Sequence, residues 1–160
     1  MMTPPTISKY ARYPDDMRYV REWLRERETV QALYVGTAYG EDMFSWLNVD
    51  LGTGATVVWA GLEPDVMAYR HCREATDQIY MLNKGVMDHA GQYDLIVANN
   101  VWRADSADNV AMLKHIQGMC RGILIARGAN LERVGWWGHA GEGTYPIWCD
   151  GWPLGLERKE

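Results

Sequence analysis

The chain has 160 residues, 48% hydrophobic and 23% charged, which fits one globular domain and excludes a largely disordered polymer. Sixteen Lys and Arg against 21 Asp and Glu give a net charge of −5, which argues against sequence-blind nucleic-acid binding, because that requires cations on phosphates. Three isolated cysteines (Cys72, Cys120, Cys149) and four scattered histidines match no disulfide framework and no metal-ligand spacing. No metal is expected, and the reading is buried thiols and surface histidines.

Residues 1–13 read as an arm, interrupted by Pro4 and Pro5. The opening MMTPPTISKYARYPDD lacks the apolar core of a signal peptide, and no run approaches the ~18 apolar residues of a membrane span, so a soluble, cytoplasmic setting is expected. Pro14 suits a first helical turn, Asp15 and Asp16 complement its positive end, and Met17, Val20, Trp23 and Leu24 follow helical spacing, predicting a helix over 15–28. A strand follows at 31–35, then the glycine turn GTAYG and a helix over 41–48, closed by the loop signal Asp50-Leu51-Gly52-Thr53-Gly54. The β-branched, aromatic run 56–61 predicts a second strand. Pro64 then starts a helix to about Ala75, with Met67, Tyr69 and Cys72 as its apolar positions. Strands are predicted at 78–82 and 93–98. Asp105, three before Asp108, is a workable cap for a helix carrying Val110, Leu113, Ile116 and Met119, and 122–126 forms a fifth strand.

Strands alternating with helices, each strand a continuous apolar run, predict a three-layer α/β/α sandwich around a mostly parallel sheet. After Gly128 the texture changes, because seven of 16 Gly and four of eight Trp (Trp136, Trp137, Trp148, Trp152) fall in the last 33 residues. One strand, at 144–149, is predicted there. The whole reads as a single domain over 1–160: arm 1–13, core 14–128, and a Gly/Trp-rich extension 129–160.

In an open α/β sheet, ligands bind beyond the carboxyl ends of the strands. Three loops meet that description. Gly36-Thr37-Ala38-Tyr39-Gly40-Glu41 allows close backbone approach, but it is neither a Walker loop nor a G-x-G-x-x-G fingerprint; read blandly, it is a tight strand-to-helix turn. Glu63, ending the second strand, can accept hydrogen bonds from both ribose hydroxyls of a nucleoside, or be an ordinary acid at a helix start. Asn99-Asn100-Val101-Trp102 offers two amides, or plain turn chemistry.

In this order and spacing, the three loops resemble the class I S-adenosylmethionine (SAM)-dependent methyltransferases. The branch most similar is the chemotaxis-receptor glutamate methyltransferases, whose first loop reads G-C-x-T-G-E-E-x-Y-S where this chain has GTAYGEDMFS, and which place an Asn-Val pair after strand four, as in YDLIVANNVW. The resemblance covers about residues 30–128 and implies a Rossmann-like methyltransferase core. It also implies that Gly36, Thr37, Ala38 and Gly40 line the methionine part and sugar of SAM, with Glu41 near the sulfonium or amino group. Glu63 would hold the ribose hydroxyls, Pro64 would lie beneath the adenine, Val86 and Met87 would flank it, and Asn99, Asn100 and Val101 would face the methyl donor.

Departures are visible. Tyr34 stands where most of the class has an acidic residue, Val86 follows Gly85 where an acid usually reads the adenine amino group, and Asp88 comes two residues later. Only 33 residues follow Arg127, so the core is expected to be reduced at the C-terminal edge of the sheet. No catalytic base is assigned; Asp88, His139 and Glu142 are the polar candidates to reach such a site, and each reads first as a surface residue. The expected function is a SAM-dependent methyltransferase with SAM as cofactor and a small molecule or protein as acceptor. A catalytically reduced binding or regulatory module is the alternative, and a Rossmann-type nucleotide or NAD enzyme ranks third. The Trp-rich extension is a candidate surface for homo-oligomers.

Overall fold

The computed structural model describes residues 14–99, 101–102 and 106–127, and the backbone of four short strands between 136 and 158. Helix α1 spans Pro14–Leu24, β1 Thr29–Val35, α2 Met43–Trp46, β2 Thr56–Leu62, α3 Val66–Ala75, β3 Ile79–Leu82, β4 Tyr93–Asn99, α4 Ser106–Met119 and β5 Cys120–Arg127. The later strands are β6 Trp136–Gly138, β7 Ile147–Cys149, β8 Trp152–Pro153 and β9 Leu156–Arg158.

The main sheet runs β3-β2-β1-β4-β5-β7-β8. Its first five strands are all parallel, β7 joins β5 antiparallel, and β6 pairs with β9 in a separate ribbon. Among the described residues, only strands of three and two residues extend the sheet beyond β5, the reduction expected at that edge. Strand order reverses between β1 and β4, which fixes the ligand crevice at their carboxyl ends.

Alternation along each strand sends side chains to two cores. One face (Ala32, Tyr34, Leu95, Val97, Ile123, Ile125) packs under α1, α2 and α3 through Met17, Val20, Leu24, Met43, Trp46 and Cys72. The other (Leu33, Val35, Ile96, Ala98, Leu124, Ala126) packs under α4 through Met112, Leu113, Ile116 and Met119. This is the three-layer sandwich. Trp46, Trp59 and Trp102 are buried and Trp23 is half-buried, as core packing requires.

Several local expectations are corrected. The helix predicted over 41–48 is one turn long; its first-turn cap residue, Asp42, is helical and makes no cap bond, because its carboxylate is taken by Tyr34 and Asn99. The chain then descends in i→i+3 turns through Val49, Leu51 and Thr53. Helix α3 starts at Val66, not at Pro64, and Asp65 caps it, its Oδ1 accepting from Ala68 N–H at 2.9 Å. The buried face of α3 is Ala68 and Cys72, one turn apart, while Met67 is exposed. His89 is buried, not a surface residue. The predicted strand at 144–149 survives as β7; Asp105, His139 and Glu142 lie outside the described residues.

Candidate functional site

A cleft of about 520 Å3 opens beside the switch point, at the carboxyl ends of β1 and β2. Gly36, Ala38, Glu63, Pro64, Val86, Met87 and Val101 all line it, so the structure brings together seven of the twelve residues singled out from sequence. Val35, Leu62 and Met112 complete its apolar wall, and Lys84, Gly85 and Asp88 join its rim. Thr37 is buried beneath the loop, Gly40 closes it by donating to Thr37 O at 2.9 Å, and Glu41 is exposed; none of these three lines the cleft. Asn99 is buried on the opposite sheet face, and Asn100 lies outside the described residues.

The glycine loop leaves β1 sharply. Gly36 and Thr37 both donate to Leu62 O, at 2.8 and 3.1 Å, so β1 and β2 stay paired to their last residues. Gly36 has φ +68, Gly40 φ +90 and Ala38 φ +48. A side chain at Gly36 would also collide with Cγ1 of Val101, so glycine is required for the loops after β1 and β4 to meet. Ala38 has no such licence, and a left-handed backbone costs it roughly 1–2 kcal/mol. That cost is offset by two contacts: its N–H donates to Glu63 Oε1 at 2.7 Å, and its carbonyl accepts from Cys72 Sγ at 3.2 Å.

Glu63 is only 7% exposed, and both carboxylate oxygens are held. Oε1 takes Ala38 N–H, and Oε2 takes Asp65 N–H at 2.9 Å. Each oxygen accepts one protein donor and retains a lone pair, so the fixed carboxylate presents two acceptor positions to the cleft. Asn83 ties the β3 loop alongside, its amide donating to Glu63 O and Pro64 O at 2.9 and 3.1 Å.

Residues that sequence reasoning missed lie across the switch point. The Tyr34 hydroxyl donates to Asp42 Oδ2, and Asn99 Nδ2 donates to the same oxygen at 3.0 Å. The position read as a missing acid is therefore a tyrosine whose tip meets a carboxylate supplied by the next loop. The available signal was Asp42 in GEDM, eight residues on. Beside it, fully buried Asp16 pairs with Arg127 Nε at 3.1 Å, fastening α1 to the end of β5.

The wall residues Val86–Asp88 form a 3-10 turn. His89 anchors it: His89 N–H donates to Val86 O, His89 O accepts from His115 Nε2 at 2.7 Å, and His89 Nε2 meets Tyr93 OH at 2.7 Å. Burial, with Lys84 and His115 nearby, holds its imidazole below the usual histidine range. Burial likewise pushes the Cys72 thiol up; the hydrogen bond with Thr37 opposes this and the charge of Glu63 adds to it, so Cys72 stays a protonated donor. Among the described residues no group of three or more His, Cys, Asp or Glu could hold a metal, and no helix is long and apolar enough to cross a membrane.

No protein-family model matches the chain, and no curated protein matches it. Solved structures do. Magnesium protoporphyrin IX methyltransferase from Synechocystis PCC 6803, with bound SAM, superposes with a TM-score of 0.58 at 14% identity, over 84% of this chain and 77% of that one. Plantazolicin methyltransferase, in complex with a monoazolic desmethylPZN analog and S-adenosylhomocysteine (SAH), gives 0.53 at 12% identity, over 72% and 48%. Coclaurine N-methyltransferase, bound to N-methylheliamine and SAH, gives 0.50 at 12% identity, over 69% and 34%. This chain thus spans about three quarters of the first and half or less of the other two. What these likenesses show is the fold alone: a Rossmann-like α/β core of the kind those methyltransferases have.

Proposed function

We propose that this protein binds SAM in the cleft between the β1, β2 and β3 loops and transfers its methyl group to an acceptor. The observation that carries the proposal is Glu63. It is a buried carboxylate at the end of β2 with both oxygens fixed by backbone N–H groups, facing a nucleoside-sized, mostly apolar cleft beside a left-handed glycine loop. The donor set fits an adenosine: Glu63 has acceptor positions for two ribose hydroxyls, and Leu62, Pro64, Val86 and Met87 supply apolar surface for a flat base. The fold shared with methyltransferase structures carrying SAM or SAH supports the same reading.

SAM, when bound, supplies an already activated methyl group. The chain's own work is then to bind and orient. Glu63 would hold the sugar, the loop at Gly36 would let the ligand approach the backbone, and Val101, packed against Gly36, would border the reacting end. We place the reacting end at the switch point between β1 and β4, where an acceptor, a small molecule or a protein side chain, meets it. The GTAYGEDMFS and Asn-Val motifs favour a carboxylate acceptor of the glutamate-methyltransferase kind. A cytoplasmic setting is part of the same proposal, and the four Trp of the extension favour self-association there.

Calorimetry with SAH tests the reading. Wild type is expected to bind, and Glu63→Gln, which keeps the shape but halves the acceptor capacity, is expected to weaken SAH at least tenfold, as loss of charged hydrogen bonds does. Equal affinity in wild type and Glu63→Gln would reject the site. Gly36→Val is the blunter variant, because it also displaces Val101.

A further inference from the structure

We infer that Cys72 is a positioning residue for the ribose-reading carboxylate: held on α3 beneath the glycine loop, it fixes Ala38 in the backbone conformation that aims the Ala38 N–H at Glu63. The inference rests on the nucleoside reading of the cleft and deepens it.

Cys72 has no exposed surface and does not line the cleft. Its Sγ lies 3.2 Å from Ala38 O and 3.7 Å from Thr37 Oγ1, and Thr37 Oγ1 lies 3.3 Å from the same carbonyl. Two donors from below, a thiol and a hydroxyl, thus hold the carbonyl of the one non-glycine residue with positive φ among those described. With the carbonyl held down, the Ala38 N–H points to Glu63 Oε1. The other oxygen is fixed by Asp65 N–H, at the start of the same helix that carries Cys72. Asp65 and Cys72 are seven residues apart, two helical turns on one face. Helix α3 therefore acts as a ruler: its cap residue, Asp65, sets one carboxylate oxygen directly, and its second turn sets the other through Ala38.

Without the thiol, Ala38 is freer to leave the left-handed region. Its N–H then turns from Glu63, and the carboxylate keeps one anchor of two. A ligand hydroxyl must then order the carboxylate on binding, which weakens the hydroxyl contacts specifically. A thiol that merely fills space would instead act on stability and on all ligands alike.

The test is a titration of adenosine and 2′-deoxyadenosine into wild type, Cys72→Ala, Cys72→Ser and Thr37→Val, with the melting temperature of each recorded. Wild type is expected to prefer adenosine. Cys72→Ala is expected to weaken adenosine roughly three- to tenfold, the worth of one hydrogen bond, and to compress its preference over the deoxynucleoside by a similar factor. Cys72→Ser, which keeps a donor, restores the preference; Thr37→Val, which removes the second donor, compresses it again. An unchanged preference in Cys72→Ala or Thr37→Val, or equal compression in the Ser and Ala variants, overturns the inference while leaving the nucleoside site standing. Wild type that binds neither nucleoside nor SAH removes the site itself, and the inference with it.

Discussion

At the scale of single residues, the site is built around a carboxylate held by two backbone N–H groups, one two residues away and one 25 residues away. Glu63 was legible as an acid ending a strand. Its clamping by Ala38 and Asp65 was not, because nothing in composition or spacing reports a left-handed alanine. His89 shows the same limit. It reads as a surface histidine until the fold places it under the cleft wall, with Tyr93 at one ring nitrogen and the other buried without a partner among the described residues. Burial disfavours the charged ring, and Lys84 and His115 add positive charge nearby. The folded-state pKa thus lies below the ordinary value of 6.5, so the unfolded chain binds the proton first. Stability from this group is complete above the unfolded value and is lost as pH falls through it toward the folded one. Denaturation at a series of pH values is expected to show wild type weakening from pH 7 to about 5, and His89→Gln, which cannot titrate, weakening less. Identical slopes for the two proteins would exclude His89 as the cause.

At the scale of elements, the five parallel strands and the long helices were readable because each carries a sustained apolar pattern with flanking breakers. Errors cluster where tertiary contacts overrule that pattern. Asp42 spends its carboxylate on Tyr34 and Asn99 instead of capping α2, which stops after one turn. In the extension, β6 and β9 are three residues each and pair across twenty positions, too short and too distant to leave a periodic trace. One constraint was invisible for another reason. Gly122 lies in β5 opposite a register shift in β4 between Tyr93 and Leu95, and a Cβ there would strike the carbonyl oxygen of Asp94. The same Asp94 accepts Gln31 N–H at 2.9 Å and Arg121 Nε at 2.7 Å, so the shift joins three adjacent strands. Since the obstacle is backbone, it cannot swing aside as a side chain would. Gly122→Ala is expected to destabilise the fold by roughly 1–3 kcal/mol, read as a lower urea midpoint at unchanged m. A midpoint equal to wild type would show that β4 and β5 separate there at no cost.

At the scale of the whole molecule, two cores cover opposite faces of one sheet, and backbone loops rather than helices meet at the carboxyl ends of the strands around the β1/β4 reversal. The cleft there is lined by the loops after β1, β2 and β3 on one side of the reversal and by Val101 after β4 and Met112 of α4 on the other, so a ligand filling it cross-links segments from both halves of the sheet. Binding to the folded chain alone must then raise its melting temperature by mass action. At a ligand concentration of 100 times Kd the gain is about 2.7 kcal/mol, which for a domain of this size corresponds to roughly 5–10 °C. SAM and SAH are both expected to produce such a shift in wild type and a much smaller one in Glu63→Gln. Methyl transfer is a separate measurement: SAM consumed in the presence of candidate acceptors supports the enzyme, whereas a full thermal shift with no turnover supports a binding or regulatory module on the same core. No shift with either compound at millimolar concentration would detach this fold from SAM altogether, because a preformed cleft that gains nothing from its ligand does not bind it.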